Sequence, residues 1–282
     1  MKNLSEIASQ ATEIFVLPEA VTRLKACMDD SAASMEDIGE IIAFDPALTG
    51  QLLKVANSAL YKFPNRIDTI TKALQVIGTR AAYDLALAYG ISHAFRNVEA
   101  KIIDLDRFWE QSVSCGLLAK YIAEQKKHKE SERLFVSGLL HNIGELAMVS
   151  MYPKEAQRCT AFNARVKPAE LQQAICGFTY SALSAEIIKN WGIPETISHP
   201  LEHIHNTETP ATELDVQILQ LSYVLALDNV NTDVYPSYNN LLPHLHETLG
   251  LAHEDLEDAL DITNLQCLSV MSLFNPSAFM LY

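Results

Sequence analysis

Apolar residues recur every three to four positions along most of the chain, and no convincing series of alternating apolar and polar positions interrupts them. This period predicts an all-α protein. Leu4, Ile7, Ala8, Ala11, Ile14 and Phe15 form the first stripe, which ends before Pro18, a residue suited to a first helical turn and so a boundary. Ser34 with Asp37 approximates a capping box ahead of IGEIIAF. Asp45-Pro46 supplies a cap and a first-turn proline for PALTGQLLKVANSALY. After the turn-forming FPNR stretch, a short helix carrying Leu74 and Ile77 runs to Gly78, and Thr79 is placed to cap RAAYDLALAYGISHAF.

A second region opens with IDLDRFWEQSVSCGLLAKYIAEQ, whose Phe108, Ser112, Cys115, Leu118, Ala119 and Ile122 make a stripe of small and apolar residues suited to close packing. The basic run KKHKE that follows reads as a solvated helix end, where cations complement the helix dipole. SERLFVSGLLHNIGELAMVSMYP predicts one helix from about Ser131 to the residues before Pro153. Further helices are expected at PAELQQAI, TYSALSAEIIKNW, PETISHPLEHI and ELDVQILQLSYVLALDN. A polar connection, TDVYPSYNN, then leads to helical patterns around LLPHLHETLG and HEDLEDALDITNLQCLSVMSLF. The expected organisation is an N-terminal helical subdomain (1–98), a helical bundle (99–230) and C-terminal helices packed on it (231–282).

Composition narrows the function classes. With 49% hydrophobic and 20% charged residues the chain is that of an ordinary globular protein, not a disordered one. A formal charge of −14 makes the average surface repel phosphate backbones and anionic membrane surfaces, so nucleic acid is not expected, and with no run of about 18 apolar residues to span a bilayer membrane insertion is not expected either. The N-terminus MKNLSEIASQATEIF lacks the basic, apolar and small-residue blocks of an export signal. Five scattered cysteines without a Cys-x-x-Cys pair argue against a disulfide framework and a structural zinc site, which fits a reducing cytoplasm.

Within GLLHNIGELAM, His141 and Asn142 form a polar pair inside an apolar helical pattern. A hydrolytic metal centre needs several His, Asp or Glu ligands at one point, with carboxylates to offset the dication and a position open to water. Adjacent His and Asp on a helix could both serve a site at a bundle interface. Asn142 keeps that geometry without the charge, so the residues read first as a hydrogen-bonded polar pair and second as a remnant ligand set. His199 and His203, four apart, could share a helix face, although exposed helix-end histidines are the simpler reading. No phosphate-cradling loop, dinucleotide fingerprint or nucleophile elbow is present.

Taken in order, LLKVANSALYKFPNRIDTITKALQVIGTRAAYDLALAYGI, FWEQSVSCGLLAKYIA, LFVSGLLHNIGELAM and GFTYSALSAEIIKNWGIPETI resemble the successive signature blocks of the HDOD domain, over about residues 45–205. That family is related to the metal-dependent HD phosphohydrolases and usually serves as an output module. The resemblance implies a multi-helix, HD-domain-like bundle with an N-terminal helical subdomain. It also places the HD ligand pattern: the first histidine falls on Gln111, the His-Asp pair on His141 and Asn142, and a Thr-His pair of many relatives on Thr179-Tyr180. A later histidine falls on His205, and the final aspartate on Tyr223, with Asp228 just over a turn beyond. By this resemblance Gln111, Asn142 and Tyr180 stand in place of an imidazole, a carboxylate and an imidazole.

The expected function is a non-catalytic signalling or regulatory module in a bacterial cell, acting through an unidentified protein or a small ligand held by Gln111, His141, Asn142, Tyr180 and His205. No cofactor is expected. The alternative is a residual phosphohydrolase acting on a nucleotide or other phosphate ester, with a divalent metal on His141 and His205. Relatives often carry receiver or cyclase domains, for which these 282 residues leave no room, so the signal is expected to arrive through a separate molecule.

Overall fold

A computed structural model describes residues 3–30, 32–58, 60–61, 63–98 and 101–274. In chain order the helices are α1 (Leu4–Ile14), α2 (Glu19–Asp29), α3 (Met35–Phe44), α4 (Pro46–Ala56), α5 (Ile70–Ile77), α6 (Thr79–Ala94), α7 (Leu105–Gln125) and α8 (Ser131–Leu140). They continue as α9 (Ile143–Met151), α10 (Pro153–Cys159), α11 (Pro168–Cys176), α12 (Tyr180–Asn190), α13 (Glu195–His203), α14 (Leu214–Val230), α15 (Pro243–Glu247) and α16 (His253–Phe274). Among the described residues the only β pairing is an isolated bridge between Asn163 and Val166, so the fold is all-α as the periodicity predicts.

Contacts divide the chain into two compact units, Met1–Phe15 with Asn97–Leu265, and Val16–Arg96 with Gln266–Tyr282. Helix α1 thus groups with the bundle, through α12, and not with residues 16–96. Of the expected C-terminal segment, 231–265 groups with the bundle and 266–274 with residues 16–96, while 275–282 lie outside the described residues.

In the smaller unit the local signals work largely as written. Ser34 Oγ accepts from the Asp37 N–H at 3.2 Å and the Asp37 carboxylate accepts from the Ser34 N–H at 2.7 Å, closing the box. Asp45 accepts from the N–H groups of Ala47 and Leu48 at 2.9 and 3.0 Å, with Pro46 in the first turn. The helix expected to run through Tyr61 stops at Ala56, and Ala59 of that stretch lies outside the described residues. Thr79 does not cap α6. Gly78, at φ +85°, is shared as the end of α5 and the start of α6, and Thr69 caps α5 instead.

In the larger unit α7 packs along α8 and α14, while α12 packs on α1, α9 and α13. The small-residue stripe of α7 is buried, as its composition predicts. Its closest approach is glycine on glycine: a Cβ added to Gly138 would sit 2.7 Å from the Gly116 Cα and backbone nitrogen, and one on Gly116 would sit 2.7 Å from the Phe135 carbonyl oxygen. Neither backbone can yield, so both positions require the missing side chain.

The single helix expected from Ser131 to Pro153 is instead two. The chain leaves helical geometry at Asn142 (φ −115°, ψ 13°), which opens α9. An apolar pattern alone cannot show such a break, because the stripe continues across it. Residues 131–151 are long and apolar enough to cross a membrane, yet 78% of their most apolar window is buried in the protein, as in a core segment. The KKHKE run is more engaged than a solvated end: Lys126 donates to the Leu249 carbonyl, and His128 Nε2 lies 2.9 Å from Asp215, which also pairs with Arg133 at 2.8 Å.

Gly138→Ala is expected to destabilise by about 2 kcal/mol and lower the melting temperature by roughly 4–8 °C, because no neighbour can move aside. Gly50→Ala, where an added Cβ meets nothing within 4 Å, is expected to be neutral or stabilising by about 0.5–1 kcal/mol. Thermal melts of the two variants check the contrast.

Candidate functional site

His141 ends α8 at the corner where the chain turns into α9. Its Nδ1–H donates to the Gly138 carbonyl at 2.6 Å, since that oxygen can only accept. This bond fixes the tautomer and leaves a lone pair on Nε2, which is buried with no hydrogen-bond partner among the described residues. With 1% of the residue exposed, burial pulls the imidazole pKa down to about 4, so it is neutral at physiological pH.

The ring of Tyr223, on α14, lies edge-on to both histidines of the corner. Its centroid is 5.6 Å from that of His141 and 4.6 Å from that of His205, just beyond the end of α13. Burial, then the proximity of His141 and Lys167, pushes His205 down to about 3. Burial raises the Tyr223 phenol well above its ordinary range, so it too is neutral. Tyr223 thus meets both histidines, and none of the three rings carries a formal charge. Beside His205 and Tyr223 a cavity of about 140 Å³ is also lined by Lys167, Glu170, Thr207 and Asn240, among others.

The other sequence-derived positions are committed elsewhere. Asn142 donates through Nδ2 to Glu145 Oε2 at 2.5 Å. Gln111, on α7, accepts from Asn231 Nδ2 at 3.2 Å, a contact with the C-terminal end of α14. Tyr180 opens α12, is 1% exposed, and its buried hydroxyl is directed at the Cys159 thiol. Asp228 is locked by the backbone N–H and side-chain amide of Asn240, at 2.8 and 2.5 Å. The structure thus joins His141 and His205 through Tyr223, while Gln111 and Asn142 keep separate partners.

Gly144 sets how α9 meets α12. A Cβ there would lie 2.3 Å from the Tyr180 carbonyl oxygen, and the Gly144 N–H donates to Ser184 Oγ at 2.9 Å. Glu145 is the residue the sequence reading passed over. Its carboxyl is pushed up to about 7, chiefly by burial, against the lowering effect of the Asn142 amide. The Asn-x-x-Glu spacing across a helix start is the signal that would have pointed to it. The five cysteines are free thiols, and Cys159 Sγ lies 3.8 Å from Cys176 Sγ.

The all-α bundle is an HD-domain-like helical fold. The chain belongs to the HDOD domain family, whose profile matches residues 14–207. Among solved structures it is similar to one described as "Putative phosphohydrolase" from Shewanella amazonensis SB2B, with a TM-score of 0.74 and 19% identity over 95% of this chain and 97% of that one. It is also similar to an HDOD domain protein of unknown function from Geobacter sulfurreducens, with a TM-score of 0.72 and 16% identity over 98% of both chains. A third, described as "Putative signal transduction protein" from Marinobacter aquaeolei VT8, gives a TM-score of 0.73 and 20% identity over 97% of this chain and 61% of that one. At these identities the likeness establishes the fold. An uncharacterized protein of Treponema pallidum (strain Nichols) is 25% identical over 211 residues, 73% of this chain, and the match spans 40% of that relative's length.

The buried groups set a pH signature. Unfolded, His141 regains a pKa near 6.5, so from pH 6.5 down towards 4 the unfolded chain binds a proton that the native protein refuses. Stability is therefore complete above 6.5 and falls by about 3 kcal/mol across that window from His141 alone, with His205 adding in the same direction. Glu145 acts oppositely: its raised pKa gives stability present below about 4.5 and lost as pH rises through 7. Denaturant melts are expected to show maximal stability near pH 6.5, and Glu145→Gln is expected to steepen the rise in stability between pH 4.5 and 6.5.

Proposed function

We propose that this HDOD protein is a non-catalytic signalling or regulatory module whose HD-type site has lost its metal chemistry. The observation that carries this reading is the neutral Tyr223 ring packed against both His141 and His205. A dication needs anionic donors. Here the aspartate of the His-Asp pair is Asn142, whose amide serves Glu145, and the final aspartate position holds a neutral phenol. Asp228 is consumed by Asn240. The residues present therefore do not suit the hydrolytic metal, and no hydrolytic step is assigned to them.

Size supports the same reading. Ligand pockets commonly run to about 300–1,000 Å³, whereas the space beside His205 is about 140 Å³, enough for a few waters or a fragment but not a nucleotide. The description of the Marinobacter relative as a signal transduction protein is compatible with action through a partner.

Two measurements test the proposal. With Mn²⁺ or Mg²⁺ added, hydrolysis of aryl phosphate esters and nucleotides is expected to stay at the blank rate in both the wild type and His141→Ala; metal-dependent turnover lost in that variant would contradict it. Affinity capture from cells of origin is expected to recover a discrete partner equally well with both proteins. Absence of any discrete partner, together with no thermal shift across a small-molecule panel, would also count against it.

A further inference from the structure

A second group of histidines stands apart from the cleft, on the outer part of the same unit. His199 and His203 lie one turn apart on α13, with ring centroids 4.8 Å apart. Glu202 stands beside them, and a nitrogen of each imidazole and a Glu202 carboxylate oxygen all fall within 4.8 Å of one another. Glu213, immediately before α14, brings a second carboxylate: both of its oxygens lie 3.2 Å from His199 Nε2. All of these side chains are partly exposed, so they can adjust to a ligand at little cost.

We propose that His199, His203 and Glu202, with Glu213 as a fourth donor, form a surface site for a divalent transition-metal ion such as Zn²⁺, Co²⁺ or Ni²⁺. Two imidazoles four residues apart can chelate one ion, because one helical turn sets their spacing close to that of two cis ligands. The donor set of two imidazoles and two carboxylates selects transition metals over Mg²⁺ and Ca²⁺, which demand oxygen ligands. Two carboxylates also neutralise the dication.

The surroundings define what binding must rearrange. Lys189, on α12, pairs with Glu202 through Oε1 and competes with the ion, leaving Oε2 as the available oxygen. Asn206 Nδ2 lies 3.2 Å from His203 Nδ1. When Nε2 of His203 binds metal, Nδ1 carries the proton and the Asn206 amide turns over to accept it, the usual support for a ligating imidazole. His203, Asn206 and Glu213 also line a cavity of about 280 Å³, so a remaining coordination position has open space beside it. A bound ion would join α13 to the residue before α14 and so hold both ends of segment 204–213, which carries His205. This site needs no particular reading of the cleft.

The full-length protein, stripped of metal with chelator, should bind one equivalent of Co²⁺ or Zn²⁺ by calorimetry, with a Co²⁺ visible spectrum of mixed nitrogen and oxygen ligation. The His199→Ala/His203→Ala double variant is expected to weaken binding by about 100-fold or more, from the loss of both imidazole ligands. Lys189→Met, which frees Glu202, is expected to tighten binding, and His141→Ala to leave it unchanged. On the wild type itself, Co²⁺ should broaden the His199 and His203 imidazole proton resonances first, so the test does not depend on a variant folding. Absence of stoichiometric binding would overturn the proposal, as would binding that survives the double variant or that follows His246 and His253, whose rings lie 5.3 Å apart elsewhere in the unit.

Discussion

Close backbone approach at three glycines is the constraint on which the cleft depends. Gly138 lies against Gly116, which fixes α8 on α7, and Gly144 lies against the Tyr180 carbonyl, which fixes α9 on α12. The His141-Asn142 corner falls between Gly138 and Gly144, so its position is set from both sides by contacts that tolerate no added methyl. Gly138 also supplies the carbonyl that holds the His141 tautomer. One short stretch therefore determines the helix crossing, the corner and the direction of the Nε2 lone pair.

That scaffold still presents His141 as a metal ligand would be presented, with Nδ1–H tied to a carbonyl and Nε2 free. Neutral rings lie near the lone pair, and other polar groups pair among themselves: Asn142 with Glu145, Gln111 with Asn231, Asp228 with Asn240. Each pairing satisfies a group whose isolated burial would be costly, and each removes a donor from the site. Retained geometry with reassigned donors is the physical content of the proposed non-catalytic role.

Much of the fold was legible because its signals are local. The Ser34–Asp37 box and the Asp45-Pro46 start depend on residues two or three apart, and both formed as read. The break at Asn142 was not legible, since apolar spacing runs straight through it and only the packing of α9 on α12 requires the turn. The pairing of Gly116 with Gly138 depends on which helices cross, information that periodicity does not carry. Of the five cleft positions, His141 and His205 lie on a common ring partner, which spacing alone could not show. His199 and His203 share a helix face as their spacing allows. The approach of Glu213 from a separate segment emerged only from the fold.

Anomalous scattering from crystals equilibrated with Mn²⁺ and with Zn²⁺ tests the central claim most directly. The account expects the Tyr223 ring to remain packed against both His141 and His205, with no metal peak at a bonding distance of about 2.1 Å from His141 Nε2. A peak bonded to both His141 and His205, with Tyr223 displaced, would contradict it.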